Sequence, residues 1–236
     1  MALPTKKTPP RANLGDYSIL IYGPTKIGKT TLASQFPEAL FLATEPGLNA
    51  LEAYQIPITS WDGLLAAAAE IAGGNHRFKT TVIDTIDNAY KFCEEYICAK
   101  ERVAHPSDMD YGKGFSLVNN EFQRVLTKLA ALPYGLVMIS HTKEIEVKRA
   151  TGKFNKVTPT LPDKAGKIVL GMADMVLYCA AEESEQDGKT VVQRIIKTKP
   201  TPYYDAGDRT GRLPETLPLS YQAFHEAFLN AGKKAA

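Results

Sequence analysis

Segment 17–36, YSILIYGPTKIGKTTLASQF, constrains the fold of this chain more than any other stretch. Its apolar start, Tyr17–Tyr22, predicts a strand that runs directly into Gly23–Thr30, and a helical pattern follows. We expect that helix to end near Pro37, because proline cannot continue a helix. Gly23–Thr30 matches G-x-x-x-x-G-K-[ST] at every fixed position. A glycine-rich surface turn can match by accident, but the flanking strand and helix favour a phosphate-binding loop.

The spacing within this loop has a physical reason. Glycines allow backbone N–H groups to turn inward around a polyphosphate, and the helix that follows adds positive potential. The lysine reaches the β and γ oxygens, while the final threonine places its hydroxyl on Mg²⁺. The sequence therefore predicts that the chain binds ATP and Mg²⁺. The candidate nucleotide-binding residues are Gly23, Pro24, Thr25, Lys26, Ile27, Gly28, Lys29, Thr30 and Thr31.

The length of 236 residues suits one large α/β domain. We predict a flexible basic arm at residues 1–14, which contains Lys6, Lys7 and Arg11, and a single domain at residues 15–236. The arm has the charge to touch nucleic acid, but an unstructured terminus is the simpler interpretation. A net charge of +2 does not by itself indicate a nucleic-acid partner.

The three cysteines include no C-x-x-C pair, so the sequence suggests neither a disulfide framework nor a zinc site. No apolar signal region opens the chain, and no run of 18 apolar residues occurs in it. These features argue against secretion and membrane insertion. We expect a soluble cytoplasmic protein.

Three further strands are predicted to end in residues that carry chemistry. Residues 39–44 lead to Glu45, residues 80–85 contain Asp84, and residues 135–140 lead to His141. In a parallel sheet the carboxyl ends of the strands are where ligands bind. Together with Lys29, these three are the candidate catalytic residues.

Each of the three has a predicted role in attack of water on the γ-phosphate. Glu45 would take the proton from the water. Asp84, like Thr30 a magnesium-binding candidate, would act through the metal's water shell, unless it only caps the next helix. His141 would lie near the phosphates, unless it only holds a loop through a hydrogen bond.

Cationic residues concentrate in segment 143–167, where Thr151–Asn155 is the predicted tip of a hairpin. Cations with an aromatic side chain among them suit phosphate contacts combined with base stacking. A solvated hairpin would also be charged, so both interpretations stay open. Segment 104–114 is a second irregular, charged loop. The candidate DNA-binding residues are Lys113, Lys143, Lys148, Arg149, Lys153, Phe154 and Lys156.

The C-terminal third is predicted to extend the sheet with strands at 173–179 and 190–196, joined by an acidic turn at 182–189. Lys197 and Lys199 then lie on one face of an extended segment. Residues 47–60 are expected to be irregular. Cations late in the chain can be supplied to a neighbour's nucleotide, as arginine fingers are. The trans-acting candidates are Lys197, Lys199 and Arg209.

Alternating strands and helices predict a three-layer α/β/α domain with a mainly parallel central sheet. GPTKIGKT, TEPGL at 44–48, VIDT, SHT at 140–142 and the late K-x-K together resemble the RecA-type P-loop NTPase core. YGKG at 111–114 and the C-terminal DRTGRLPETLPLSYQAFHEAF further resemble phage-encoded nucleotide-binding proteins of the AAA_24 group. That group includes RecA-like single-strand annealing proteins of phage recombination. The resemblance covers nearly the whole chain from about residue 15.

The resemblance implies that Glu45 is the catalytic glutamate, Asp84 the Walker B aspartate and His141 the sensor residue. Segments 104–114 and 143–160 would be two DNA-binding loops, and the lysine pair would act across a subunit interface. Two departures affect the expected assembly. The N-terminal segment is shorter than the usual oligomerisation segment, and no C-terminal DNA-gathering domain follows. A ring, a short filament and a monomer that assembles on DNA all remain open.

The sequence therefore predicts a DNA-dependent ATPase that binds single-stranded DNA and promotes annealing or strand exchange. Its expected partners are single-stranded DNA, further copies of itself and a single-strand-binding protein, in the cytoplasm of a bacterial host if the chain is phage-encoded. A nucleoside or small-molecule kinase is an alternative, although no arginines cluster in a plausible lid. A nucleotide-switched adaptor with little hydrolysis is another. DNA and RNA are not distinguished.

Overall fold

The computed structural model describes residue 3 and residues 5–149, 152–186 and 189–231. The helices are α1 Lys29–Ser34, α2 Trp61–Gly73, α3 Ile86–Glu101, α4 Lys113–Ala130, α5 Asp163–Met172 and α6 Tyr221–Ala231. The first strands are β1 Ser18–Tyr22, β2 Ala39–Ala43, β3 Tyr54–Pro57, β4 Thr80–Asp84, β5 Gly135–Ser140 and β6 Thr142–Arg149. The remaining strands are β7 Gly152–Pro159, β8 Met175–Gln186, β9 Lys189–Lys197, β10 Gly207–Asp208 and β11 Thr216–Pro218.

The central sheet is mainly parallel. Its order is β11-β9-β8-β1-β5-β4-β2-β3, and β10 pairs with β8. The six strands from β8 to β3 are mutually parallel, whereas β9, β10 and β11 pair in antiparallel fashion. β6 and β7 form a separate antiparallel hairpin. The order places β5 between β1 and β4, so the ends of these three strands meet at one edge.

Two hydrophobic cores cover the two faces of the sheet, because successive strand residues point to opposite sides. In β1, Leu20 and Tyr22 pack with residues of α2, α3, α4 and α5. Ile19 and Ile21 pack on the other side with residues of α1 and α6. This arrangement confirms the predicted α/β fold with helices on both sides of a mainly parallel sheet.

The structure corrects three details of the sequence prediction. Segment 47–60 contains the short edge strand β3, whose four residues are all exposed and which is too short for the sequence pattern to have revealed it. The predicted acidic turn at 182–189 is largely strand, since β8 continues to Gln186 and β9 begins at Lys189. The predicted hairpin tip also differs, because residues 152–155 belong to β7. Thr151, Asp187 and Gly188 lie outside the described residues.

Residues 5–13 are exposed and contain no helix or strand, and a short 3-10 turn, Leu14–Asp16, precedes β1. The hydroxyl of Tyr17 donates to the carbonyl of Arg11 at 2.8 Å. None of the helices in the described ranges combines the length and hydropathy needed to cross a membrane.

The core between α2, α3 and α4 contains an aromatic cluster that supports a stability prediction. Phe122 of α4 is fully buried, and its ring centroid lies 6.2 Å from that of Trp61 and 5.1 Å from that of Tyr90. Phe122→Ala should lower the free energy of unfolding by about 3–5 kcal/mol, since it removes a buried ring and leaves a cavity. Urea unfolding followed by circular dichroism measures this change.

Phe115 provides the control on the same helix, because its side chain is 38% exposed. Phe115→Ala should cost less than about 1 kcal/mol. Equal losses for the two variants would contradict the described packing of α4.

Candidate functional site

Hydrogen bonds join the carboxyl ends of β2 and β4. The backbone N–H of Thr44 donates to the carbonyl of Asp84 at 2.8 Å. The Thr44 hydroxyl donates to the carbonyl of Thr85 at 2.9 Å and accepts from the Thr85 N–H at 2.7 Å. Thr44 is buried, so these bonds form away from water. They fix Glu45, the next residue, beside the strand end that carries Asp84.

The phosphate-loop segment lies between β1 and α1, as its sequence predicted. Gly23 passes so close to β8 that a Cβ atom there would stand 2.5 Å from the carbonyl oxygen of Cys179, which explains the need for glycine. Lys29 is the first residue of α1, and its Nζ donates to the carbonyls of Gly23 at 2.8 Å and Pro24 at 2.9 Å. Burial lowers the pKa of Lys29, and the charges of nearby acidic groups act against that shift.

Thr30 and Asp84 form the part of the site that suits a magnesium ion. The Thr30 hydroxyl donates to Asp84 Oδ2 at 2.9 Å. Burial raises the pKa of Asp84, and the hydrogen bond from Thr30 opposes part of that rise. The resulting pKa is about 6. A hydroxyl and a carboxylate are oxygen ligands of the kind that Mg²⁺ prefers alongside substrate phosphates and water. The described residues include no group of three or more His, Cys, Asp or Glu side chains that could hold a metal ion.

Glu45 and His141 meet across the mouth of the site. His141 Nε2 lies 3.5 Å from Glu45 Oε1, and His141 Nδ1 lies 3.5 Å from Lys29 Nζ. Both Glu45 and His141 are about one-third exposed, so each can reach solvent or a ligand. The structure thus brings Lys29, Glu45, Asp84 and His141 together at one edge of the sheet. They line a cleft of about 300 Å³ that also includes Thr31, Gly47, Ala50 and Leu51.

The first turn of α3 supplies two side chains that the sequence did not identify as part of the site. Asp87 Oδ1 accepts from the Ser140 hydroxyl at 2.7 Å, and its Oδ2 accepts from the His141 backbone N–H at 2.9 Å. Asn88 Nδ2 donates to Glu45 Oε2 at 3.4 Å. Burial raises the pKa of Asp87, and its two hydrogen bonds lower it. The sequence showed only that both residues lie in a helix that begins just after Asp84. It could not show that their side chains contact His141 and Glu45.

The hairpin formed by β6 and β7 begins directly after His141. The His141 carbonyl accepts from the Thr160 N–H at 3.0 Å, so both ends of the hairpin meet beside the site. Residues opposite each other in an antiparallel pair share a face. One face carries cations and apolar groups without a carboxylate, namely Lys143, Ile145, Val147, Arg149, Phe154, Lys156 and Thr158. The other face has Glu144, Glu146, Lys148 and Lys153.

Aromatic and cationic groups are stacked on the first of these faces. The Arg149 guanidinium lies 4.9 Å from the centre of the Phe154 ring. That ring packs edge-on against Tyr203, at 5.5 Å between centroids, and Tyr203 is 60% exposed. Tyr203 was missed by the sequence reasoning because it is distant in the chain. The Val157 N–H donates to its carbonyl at 2.7 Å and so fixes the segment beside β7.

Several candidate DNA-binding cations have partners within the chain. Lys156 pairs with Asp205 at 2.6 Å, and Lys153 pairs with Glu146 at 3.1 Å. Lys143 donates to the Leu161 carbonyl at 2.7 Å. Lys113 lies on a different element from the hairpin, where it opens α4 in an exposed position.

The trans-acting candidates are also engaged. Lys197 Nζ lies 2.6 Å from Glu182 Oε1, and Lys199 Nζ lies 3.7 Å from Asp208 Oδ2. Arg209 pairs with Asp174 at 3.5 Å. Their predicted action on a neighbour's nucleotide stays a prediction, since it would require these ion pairs to open.

Two comparisons relate this arrangement to known proteins. The family model described as AAA_24, AAA domain, matches residues 16–210. A protein of Bacillus subtilis (strain 168), described as the SPbeta prophage-derived uncharacterized protein YorG, is 26% identical over 179 residues. That similarity covers 73% of this chain and 53% of the relative. The chain therefore spans about half the length of the curated relative it matches.

The position of Lys29 supports a prediction about nucleotide binding. Lys29→Ala should weaken ATP binding by about 100-fold, because a charge-assisted contact to phosphate is lost from a buried site. Titration with a fluorescent ATP analogue measures the dissociation constant. Lys91→Ala, which removes an exposed lysine of α3, is the matched control and should bind as the wild type does. Equal affinity for all three proteins would show that the loop does not hold the phosphates.

Proposed function

The chain belongs to the AAA_24 family of AAA domains, and from this premise we propose that it hydrolyses ATP and binds single-stranded DNA. Family membership establishes an AAA-type nucleotide-binding domain. The convergence of Glu45, Asp84 and His141 around Lys29 carries the proposal of hydrolysis. The proposed biological role is annealing or strand exchange in phage-type recombination. The prophage origin in the name of the Bacillus relative supports that setting.

In the proposed reaction, the loop amides and Lys29 hold the phosphates of ATP, and water attacks the γ-phosphate. Glu45 is the general base, because its carboxylate is about one-third exposed and faces the cleft that Lys29 lines. Asn88 and His141 hold the two oxygens of that carboxylate from different sides. Such fixed geometry lowers the cost of aligning the base with the water.

Thr30 and Asp84 would hold Mg²⁺ together with the phosphates of the nucleotide. When bound, the metal would neutralise charge that develops on the transferred phosphoryl group. Asp87 anchors the backbone of His141, and thus fixes the imidazole beside Glu45 and Lys29. Glu45, Asp84, Asp87 and His141 act together, so the loss of one of these four should reduce turnover more than nucleotide binding.

The hairpin after His141 is the proposed site for single-stranded DNA. The face on which the hairpin itself has no carboxylate presents Arg149, Phe154 and the neighbouring Tyr203, which suits contacts to phosphates and stacking on bases. Both ends of the hairpin meet at His141, which lines the nucleotide site. Single-stranded DNA bound to the hairpin could therefore influence the nucleotide site through His141. DNA-dependent turnover is therefore part of the proposal. Self-association and binding of a single-strand-binding protein stay predictions.

Glu45→Gln tests the proposed base. The variant keeps the size and polarity of the side chain but cannot accept the proton, so turnover should fall by about 100-fold or more. ATP affinity should stay within about threefold of the wild type. Phosphate release, measured with and without saturating single-stranded DNA, gives the rate.

The wild-type rate should rise with single-stranded DNA. A rate that DNA leaves unchanged would contradict DNA dependence, while negligible wild-type turnover with tight ATP binding would favour a nucleotide-switched adaptor. Transfer of labelled γ-phosphate to an acceptor other than water would instead indicate a kinase.

The aromatic face of the hairpin supports a separate prediction for DNA binding. Phe154→Ala should weaken binding of a labelled oligothymidine by about 1–3 kcal/mol, since one stacking surface is lost. Arg149→Ala should also make the logarithm of the binding constant less steeply dependent on the logarithm of the salt concentration, by the amount that roughly one phosphate contact contributes. Fluorescence anisotropy at several salt concentrations measures both effects.

Lys100→Ala removes an exposed lysine of α3 and is the control for charge alone. Equal weakening by Lys100→Ala and Arg149→Ala would contradict a specific role for this hairpin face. Wild-type binding by Phe154→Ala would exclude stacking at that ring.

A further inference from the structure

The hairpin of β8 and β9 extends beyond the carboxyl end of β1, the end of the sheet at which the nucleotide site lies. Tyr22, the last residue of β1, is in register with Tyr178 of β8. Arg194 of β9 is in register with Ala181, three residues further along β8. The backbone of Arg194 thus lies beyond the end of β1, alongside the loop that follows that strand.

The side chain of Arg194 reaches the phosphate loop. Its Nη1 atom lies 3.9 Å from the point where a Cβ atom on Gly28 would stand, and Leu219 Cδ2 lies 3.2 Å from the same point. Gly28 has a φ of 115°, a conformation that L side chains rarely adopt. The Leu219 N–H donates to the Arg194 carbonyl at 2.9 Å, which fixes this part of β9 to the residue whose side chain lies beside Gly28.

The sheet order places Arg194 on the side of the loop opposite to Glu45. β8 and β9 lie on one side of β1, whereas β5, β4 and β2 lie on the other. A polyphosphate bound by the loop would therefore have Arg194 on one flank and Glu45 with Asp84 on the other. Arg194 is therefore separate from the residues proposed to activate the water.

Arg194 has no carboxylate partner among the described residues, unlike Lys197 and Lys199. The side chain of Arg194 is exposed. Its guanidinium forms no hydrogen bond or ion pair with the residues that the structure describes. Lys197 and Lys199 each pair with a carboxylate of this chain. An arginine beside a phosphate loop, without a protein carboxylate, is suited to bind an anion through its planar fork of donors.

We propose that Arg194 binds the α- and β-phosphate oxygens of the nucleotide held by its own chain. The inference rests on the proposed nucleotide binding and adds a specific residue to it. Loop amides around Gly28 face the α- and β-phosphates in loops of this pattern, so Arg194 lies nearest to those two groups. Because both nucleotide and arginine belong to one chain, the contact does not depend on self-association.

Arg194→Ala tests the proposal directly. It should weaken binding of both ADP and ATP by about tenfold, since both nucleotides contain the β-phosphate. AMP should be affected less. Arg194→Lys should recover part of the affinity, as a point charge replaces the bidentate fork. Gln193→Ala, an exposed neighbour whose side chain points to the other face of β9, is the control. Competition against a fluorescent ADP analogue gives the three dissociation constants.

Mixing variants distinguishes action within one chain from action between chains. Lys29→Ala keeps Arg194 but should bind nucleotide about 100-fold more weakly than the wild type, and Arg194→Ala keeps the loop. An excess of Lys29→Ala should not restore tight ADP binding to Arg194→Ala. Restoration would overturn the proposal, because it would show that Arg194 serves a neighbour.

Affinities of Arg194→Ala within twofold of the wild type for ADP and ATP would also overturn it. If Lys29→Ala then still lost binding, the nucleotide site would stand and only the role of Arg194 would fail. A wild-type protein that binds neither ADP nor ATP would refute the proposed function itself.

Discussion

The structure around the nucleotide site depends on buried hydrogen bonds that hold neighbouring strand ends at fixed separations. Thr44 joins the end of β2 to that of β4, and Asp87 joins the start of α3 to the end of β5. These contacts place Glu45 and His141 on opposite sides of Asp84. Without them, the three residues would lie on separate loops, whose freedom would work against the alignment that the proposed hydrolysis requires.

The site places two carboxylates, Asp84 and Asp87, where burial alone would favour their neutral forms. Burial raises the pKa of both groups. Each is stabilised as a hydrogen-bond acceptor, Asp84 by Thr30 and Asp87 by Ser140 and the His141 backbone. Buried polar groups without such partners are costly, and the buried Thr85 hydroxyl is one that lacks a partner among the described residues.

The fold and the outline of the site could be predicted from sequence because both follow from local patterns. The loop motif of Gly23–Thr30 has fixed spacing, and the apolar runs before Glu45 and His141 showed that both follow buried strands. Contacts between distant segments could not be predicted in this way. Arg194 meets Gly28 only because β8 and β9 extend beyond the sheet edge, and an acidic stretch there looked like a turn. Edge strand β3 was missed because it has only four residues and ends at a proline, which is too short a run to stand out in the sequence.

We propose that the strand-end residues form a site for hydrolysis of ATP held by the phosphate loop. A crystal structure with Mg²⁺ and a non-hydrolysable ATP analogue would test this arrangement. We expect the polyphosphate within Gly23–Thr30, and a water molecule that Glu45 contacts and that lies in line with the γ-phosphate. A nucleotide bound elsewhere would contradict the proposed site. So would a γ-phosphate whose in-line water lies beyond hydrogen-bond reach of Glu45.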